Sequence, residues 1–509
     1  MKSIKILSLV LALVIGLSGC SLDTEMTGAA LTQDQYDKLP GTAEGSVLGL
    51  YSMLYRSTSE HHYFGQKSID MATDILSGDM AMTANAYGWF TDSEQQQCAS
   101  MTAGRNSYIW SYYYTIILNA NQAIRTFVAL EEAGTITVEQ SAALAQCLTM
   151  RAYCYFNLAH LYSPGLTDTE SKDYFLGNTG LDYLCVPVYN ENSTVNEETG
   201  LVVEQQVVST KDVYDQIISD LNYAVALFDE TGFQRSSKLY VDKDIANAYL
   251  AYTYLQSQQY DSAYAVAKRV IDAGNFEMIP FDKLTTTGFT DQNDPSWMWA
   301  LDVTIENTTA LASFWGHMDI HTYSYAFAGA TKAMDDVLAK SIPETDGRFN
   351  WFDPEQKYIP DYKFYDKARG VKADEIDRRW LNDLVFMRIE EMYLVAAEAA
   401  VRAGKSAEAK EVLKTFLAER DETVMATVDG MSNDELLTNL YYNWRVEMFG
   451  EGRALMTFKR FGGTKMRGNN HFYKPGEQMQ AVDPSNPVLL FIIPYGEYTN
   501  NLANSELKK

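Results

Sequence analysis

The stretch NAYLAYTYLQSQQYDSAYAVAKRVIDAG, residues 247–274, reads as two helices joined by a polar turn. Helical periodicity runs over 243–257 and again over 260–273. Ala251 and Ala263 stand where the two helices would cross, and small residues there let antiparallel helices approach closely. A second stretch, MYLVAAEAAVRAGKSAEAKEVLKTFL at 392–417, repeats the same spacing with Ala397 and Ala409. Outward from these hairpins, helical periodicity covers 35–55, 108–131, 138–162, 211–228, 382–403, 406–419 and 433–449, so the chain is mostly α. Three long stretches rich in Gly, Asn, Asp and aromatics separate the helices, at 60–105, 163–210 and 275–380. Within the third, WMWALDV alternates like a strand, which assigns Trp299 to packing. Loops of such length are usually functional or lid-like.

Ala251, Tyr254 and Ala263 fall where a tetratricopeptide repeat places small, aromatic and small residues. The two hairpins are not tandem in the sequence. The expected architecture is therefore a few tetratricopeptide-type helical hairpins forming a curved scaffold, with the long insertions packed on one side and carrying the binding face.

The chain has 509 residues, 46% hydrophobic and 21% charged, which is the balance of a globular protein. Asp and Glu number 67 against 41 Lys and Arg, a net charge of −26. Nucleic-acid binding normally needs a basic face that releases phosphate counterions, so no nucleic-acid partner is expected. The 34 Tyr, 22 Phe and 8 Trp supply many flat, polar-edged rings for a core or a stacking site.

At the N-terminus, Lys2 and Lys5 precede an apolar run over 6–17 that ends in Ser18 and Gly19 before Cys20. This is a signal-peptide pattern, and the run is shorter than the about 20 residues a membrane-spanning helix needs. Leu17-Ser18-Gly19-Cys20 resembles the lipobox of bacterial lipoproteins, which implies cleavage after residue 19 and lipidation of Cys20. Ser21, Asp23 and Glu25 resemble an acidic signal that sends some lipoproteins to the cell surface. The organisation is then a signal peptide at 1–19, a lipidated tether at 20–33 and one domain over 34–509. Cys98, Cys147, Cys154 and Cys185 form no CxxC pair and read as buried small hydrophobes. Cys147 and Cys154 lie two helical turns apart, roughly 10 Å of rise, too far for a disulfide.

In MRAYCYFNLAHLYSPG, residues 150–165, Arg151, Ala152, Tyr155, Phe156, Leu158, Leu161 and Tyr162 follow the pattern of the SusD/RagB family of outer-membrane nutrient-binding lipoproteins. The segment around Pro187 and the helix carrying Tyr214, Ile217, Asp220, Leu221, Ala224 and Leu227 continue the match. NWRVEMFGEGRALMTFKRFG at 443–462 resembles the family's signature through Arg445, Glu447, Phe449, Gly450, Glu451, Gly452, Arg453, Lys459 and Arg460, and Ile493, Pro494, Glu497 and Asn501 follow. The resemblance extends from residue 20 to 501. Asn443 stands where the family commonly has Glu, Ser163 where it has Gly, and Leu502 where it has Pro. The resemblance implies a surface lipoprotein of the outer membrane with a SusD-like fold. Such a protein binds an oligosaccharide or polysaccharide and closes over a SusC-like TonB-dependent transporter.

The residues carry little sign of catalysis, since HExxH, GxSxG, GxxxxGK and GxGxxG are all absent. Arg445, Glu447, Glu451 and Arg453 read as a structural ion-pair network around a glycine turn. His317 and His321 are four apart in a loop without an evident third ligand, so no metal or cofactor is expected. Sugars stack their CH faces on Trp and Tyr, and two insertions concentrate such rings. Tyr87, Trp89 and Phe90 lie in the first; Phe314, Trp315, His317, Tyr323, Tyr325 and Phe327 lie in the third. Trp89 and Trp315 lead the ligand-binding candidates, with Tyr87, Phe90, His317, Tyr323 and Tyr325 around them, whereas Trp110 reads as core. Two alternatives are a peptide-binding relative, since acidic grooves suit cationic peptides, and an α/α-toroid glycosidase built on paired carboxylates.

Overall fold

A computed structural model describes residues 43–55, 58, 60–98, 100–164, 180–196, 202–367, 369, 380–473, 481–482, 489–501 and 503–504. Cys20, the signal peptide and the tether lie outside the described residues, as does the start of the helix expected at 35–55. Its described part is α1 (Ala43–Ser52), with a 3-10 turn to Tyr55.

The scaffold is a run of helices, each packed on the next: α3 (Gly104–Glu132), α4 (Val138–Tyr162), α5 (Thr210–Thr231), α6 (Lys243–Gln256), α7 (Tyr260–Asp272), α8 (Ile389–Arg402) and α9 (Ser406–Ala418). Helix α4 starts at a capping box between Thr137 and Gln140, which satisfies two of the N–H groups a helix end leaves open. Every residue from Ala142 to Tyr162 is buried, because α3 and α5 flank α4 while α1 and α6 also touch it. Its Arg151 therefore needs internal partners, and finds Asp220 on α5 at 2.6 Å, Asn121 on α3 at 2.7 Å and Glu191 of the second insertion at 2.7 Å.

The hairpin at 247–274 forms as expected. Asp242 caps α6 by accepting the N–H groups of Asp244 and Ile245, and Gln258 turns the chain with a φ of 60°. Ala251, Ala263, Ala397 and Ala409 are all buried, and α7 packs on both α6 and α8. Hairpins far apart in sequence are thus adjacent in space, with the stretch between them excluded from the stack.

Two expectations are corrected. The region at 382–403 is not one helix: β8 (Leu384–Arg388) precedes α8 and pairs antiparallel with β4 (Trp297–Leu301), which buries Trp297 and Trp299. The first insertion contains a core helix, α2 (Gln66–Ser77), buried along its whole length and packed on α11 (Ala454–Phe461). Its sequence, QKSIDMATDILS, looks like a polar stretch, but its Lys67, Asp70 and Asp74 find partners inside. Asp74 accepts backbone N–H groups from Gly450, Gly452 and Ala454, and so caps α11 from outside. Gly450 and Gly452 have φ of 78° and 76°, and a Cβ on Gly452 would lie 2.4 Å from Asp70. These are the glycines of the signature at 443–462.

The signature residues of α10 (Asn433–Glu447) and the following turn are structural, but they do not pair with each other. Arg445 pairs with Asp79 and Arg453 with Glu391. Glu447 is clasped by Arg348, Arg388 and Arg420, at 3.2, 2.9 and 2.8 Å. Glu451 binds Arg388 and Lys363. Asn443, where the family commonly has Glu, accepts from Arg348 at 2.7 Å. All four cysteines among the described residues are buried and free.

Glu447→Gln should cost about 3–5 kcal/mol at neutral pH, because three buried guanidiniums lose their shared carboxylate; urea unfolding measures it. For Glu451, burial raises the carboxyl, but Arg388 and Lys363 outweigh it and hold it down at about 2. A depressed carboxylate contributes stability above its unfolded value of about 4.3, lost as pH falls through that value toward 2. The gap between wild type and Glu451→Gln should accordingly be full at pH 6 and close over that acid range.

Candidate functional site

The two aromatic-rich insertions meet through a short ladder. β1 (Met80–Met82) pairs antiparallel with β5 (Lys332–Met334), and the pairing continues through Thr83 N–H to Thr331 O and Ala86 N–H to Gly329 O. Past the ladder, Gly88 and Phe90 both adopt left-handed backbone, with φ of 74° and 62°. This turn aims successive side chains apart: Tyr87 is exposed, Trp89 half-buried and Phe90 fully buried. A non-glycine residue in that region is held there only by its surroundings. Phe90 is fixed between the guanidinium of Arg105 at 4.6 Å and the ammonium of Lys332 at 5.2 Å.

On the surface, Tyr325 approaches Tyr87 at 5.2 Å and Trp89 at 5.9 Å, both edge-to-face. His61 lies 5.8 Å from Trp89, and its Nδ1 hydrogen-bonds the Tyr325 hydroxyl. His62 also contacts Trp89, at 5.0 Å. Beside them Tyr323 and Phe327 pack on each other, 44% and 57% exposed. Beneath, His317 stacks between Tyr325 at 5.0 Å and Phe64 at 5.4 Å, with Nε2 bonded to the carbonyl of His61. The result is a platform of Tyr87, Trp89, Tyr325 and His61 on a buried bed of Phe64, Phe90 and His317.

Next to the platform, beyond Gly88 and His62, opens a cleft of about 870 Å³. It is lined by Tyr63, Thr91, Asp92, Gln96, Gln97, Ser100, Thr102 and Arg105, together with Ile492. Burial, reinforced by Arg105, pushes the His62 imidazole down to about 4, so it is neutral at physiological pH. The Trp89 Nε1–H is buried without an acceptor inside the protein. Burial also pushes the Lys332 ammonium down to about 7; it donates to the carbonyl of Ala330 and lies 3.4 Å from His317 Nδ1.

The structure brings Tyr87, Trp89 and Tyr325 together and sets Tyr323 beside them. It places Phe90 and His317 underneath, with no face for a ligand. Trp315 stands apart in the core: it is 1% exposed, packs on Phe314 and Phe364, and donates Nε1–H to the carbonyl of Asp383. A loop over a large core buries its own rings, which is why an aromatic-rich segment alone misplaced it.

Residues 49–255 match the family model described as starch-binding associating with outer membrane, and residues 319–488 match that of the SusD family. The chain belongs to the SusD/RagB family. This SusD-family chain is 28% identical over 280 residues to SusD-like protein P2 of Formosa agariphila, across 53% of its own length and 46% of that relative's. It thus spans less than half of the curated relative it matches. A SusD-like carbohydrate binding protein from Bacteroides vulgatus superimposes with a TM-score of 0.74 at 21% identity, covering 91% of this chain and 96% of the other. A SusD superfamily protein from Bacteroides thetaiotaomicron gives 0.71 at 19% identity, covering 91% and 98%. At these identities the likeness is one of fold.

Sequence reasoning missed His61, His62, Asp92 and Arg105 in this SusD-family chain, along with the polar strip from Gln96 to Thr102. Only the pair of histidines ahead of an aromatic doublet, HHYF, hinted at them. Two substitutions separate core from platform. Trp315→Ala should cost about 3–5 kcal/mol of folding stability, whereas Trp89→Ala should cost about 1 kcal/mol, both read by urea unfolding. Lys332→Met should raise the urea midpoint most below pH 7. As pH rises toward 10.5 the wild type sheds its Lys332 proton in the folded state before the unfolded one, so the advantage shrinks.

Proposed function

We propose that the chain binds glycan at the cell surface and delivers it to a SusC-like TonB-dependent transporter. It acts by capture rather than catalysis, held at the outer membrane by lipid on Cys20. The observation that carries this reading is the convergence of Tyr87, Trp89 and Tyr325, from insertions far apart in sequence, beside a cleft lined by amides and hydroxyls. The exposed parts of these rings, Tyr87 above all at 48%, meet the apolar CH side of a pyranose, while Gln97, Ser100 and Thr102 exchange hydrogen bonds with its hydroxyls. The cleft has the size of ordinary small-ligand sites, which run to about 1,000 Å³. Among the described residues no helix is long and apolar enough to cross a membrane.

The test is affinity electrophoresis of the mature chain, kept in solution with neutral detergent, through gels containing different polysaccharides. Retardation by at least one gel without release of reducing sugar is expected. Trp89→Ala and Tyr325→Ala should each weaken binding about tenfold, roughly 1.4 kcal/mol, with little dependence on salt. A ligand whose binding collapses at high ionic strength would favour a cationic peptide instead.

A further inference from the structure

We infer that the cleft selects uncharged glycans and turns away those bearing uronate or sulfate, and that the Arg105–Asp92 pair sets this selectivity. The inference rests on the reading of the cleft and platform as a glycan site. An anionic sugar is recognised by a cation that can reach it, through the fork of an arginine or the point charge of a lysine. Among the described residues lining the cleft, Arg105 is the only guanidinium or ammonium, and it is fully buried.

Every nitrogen of that guanidinium is engaged. Nε and Nη2 donate to the two oxygens of Asp92 at 2.8 and 3.3 Å, and Nη1 points to the carbonyl of His62 at 3.5 Å. Its planar faces are covered by Phe90 at 4.6 Å and Tyr63 at 5.1 Å. These bonds use three of its five N–H donors, and because the side chain is fully buried the other two are not presented to a carboxylate or sulfate in the cleft. Asp92 is half-exposed, but Arg105 neutralises it, so a cationic ligand finds no free carboxylate there either.

The remaining lining groups that reach solvent, Thr91, Gln97, Ser100 and Thr102, are uncharged donors and acceptors. His62, at the boundary with the platform, carries no positive charge above about pH 5, because burial first and Arg105 second depress it to about 4. The surplus of acidic residues over the whole chain adds repulsion for any polyanion that comes within a Debye length. What fits the cleft is a ligand that stacks and hydrogen-bonds without charge.

The experiment runs the wild-type mature chain in native gels containing glucomannan, xyloglucan or amylopectin, and in parallel gels containing polygalacturonate, alginate or carrageenan. Retardation by a neutral gel is expected, with apparent affinity for the acidic gels at least about a hundredfold weaker. Asp92→Asn frees Arg105 of its counter-charge and should narrow that gap about tenfold at low salt, the gain disappearing at 0.5 M NaCl. Because Asp92→Asn also disturbs a buried arginine, Gln97→Lys adds a cation at the exposed lip without touching the core and should narrow the gap similarly. Wild-type retardation by an acidic gel equal to or above that by the neutral gels overturns the selectivity while leaving the glycan reading standing. An unchanged gap in both variants overturns the role of the pair. Retardation by none of the gels overturns the glycan reading itself, and the selectivity with it.

Discussion

A buried carboxylate surrounded by guanidiniums holds this fold together. Glu447 ends α10 in the interior, where an unpaired charge would be prohibitive, and receives Arg348 from the third insertion, Arg388 from the end of β8 and Arg420 from beyond α9. Each arginine also reaches another carboxylate: Arg348 binds Asp346, Arg388 binds Glu390 and Glu451, and Arg420 binds Glu390. With Lys363 on Glu451, cations and carboxylates balance. Such a cluster is a weak source of net stability, since desolvation offsets most of the attraction. Its effect lies in the penalty for misassembly. A segment that fails to arrive leaves a naked charge in the core, so only one arrangement of helices, strand and insertion satisfies all of them.

The path from that clasp to the aromatic platform is short. Arg348 anchors the third insertion to the clasp, and a little earlier in the same insertion the β1–β5 ladder ties it to the first insertion, whose helix α2 is itself locked to the glycine turn of the signature by Asp74. The platform rings therefore rest on a bed that touches the core, with Phe90 held between two cations and His317 between two rings. Rings carried this way present a nearly fixed surface, which lowers the ordering cost a ligand has to meet.

The scaffold was readable in the sequence because each of its helices keeps one period over many residues and uses alanine where it meets its neighbour. The observed bounds of α6, α7 and α9 fall within a residue of the periodic stretches. Helix α2 was not readable, since Lys67, Asp70 and Asp74 occupy faces that periodicity assigns to solvent; only the contacts of the folded protein reveal that those faces are inside. The same limit explains the platform. Tyr87, Trp89 and Tyr325 were visible as rings in loops, but whether a loop ring faces in or out depends on turns such as Gly88–Phe90 and on what the loop covers. That dependence put Trp315, chemically the equal of Trp89, into the core. Arg105 and Asp92 carried no motif at all, because their pairing is made by tertiary approach and not by spacing.

The ladder between β1 and β5 also bears on how a working copy of the protein comes into being. Trp89 and all of the cleft's lining except Ile492 belong to the first quarter of the chain, while Tyr325 lies well past its middle. Loop closure over such a distance is late and costly, so the platform is among the last surfaces to assemble. A chain cut short before Tyr325 holds Tyr87, Trp89 and His61 but neither the fourth ring nor the ladder that orients it. Assembly of the platform thus waits on the third insertion, and the first insertion by itself does not supply it.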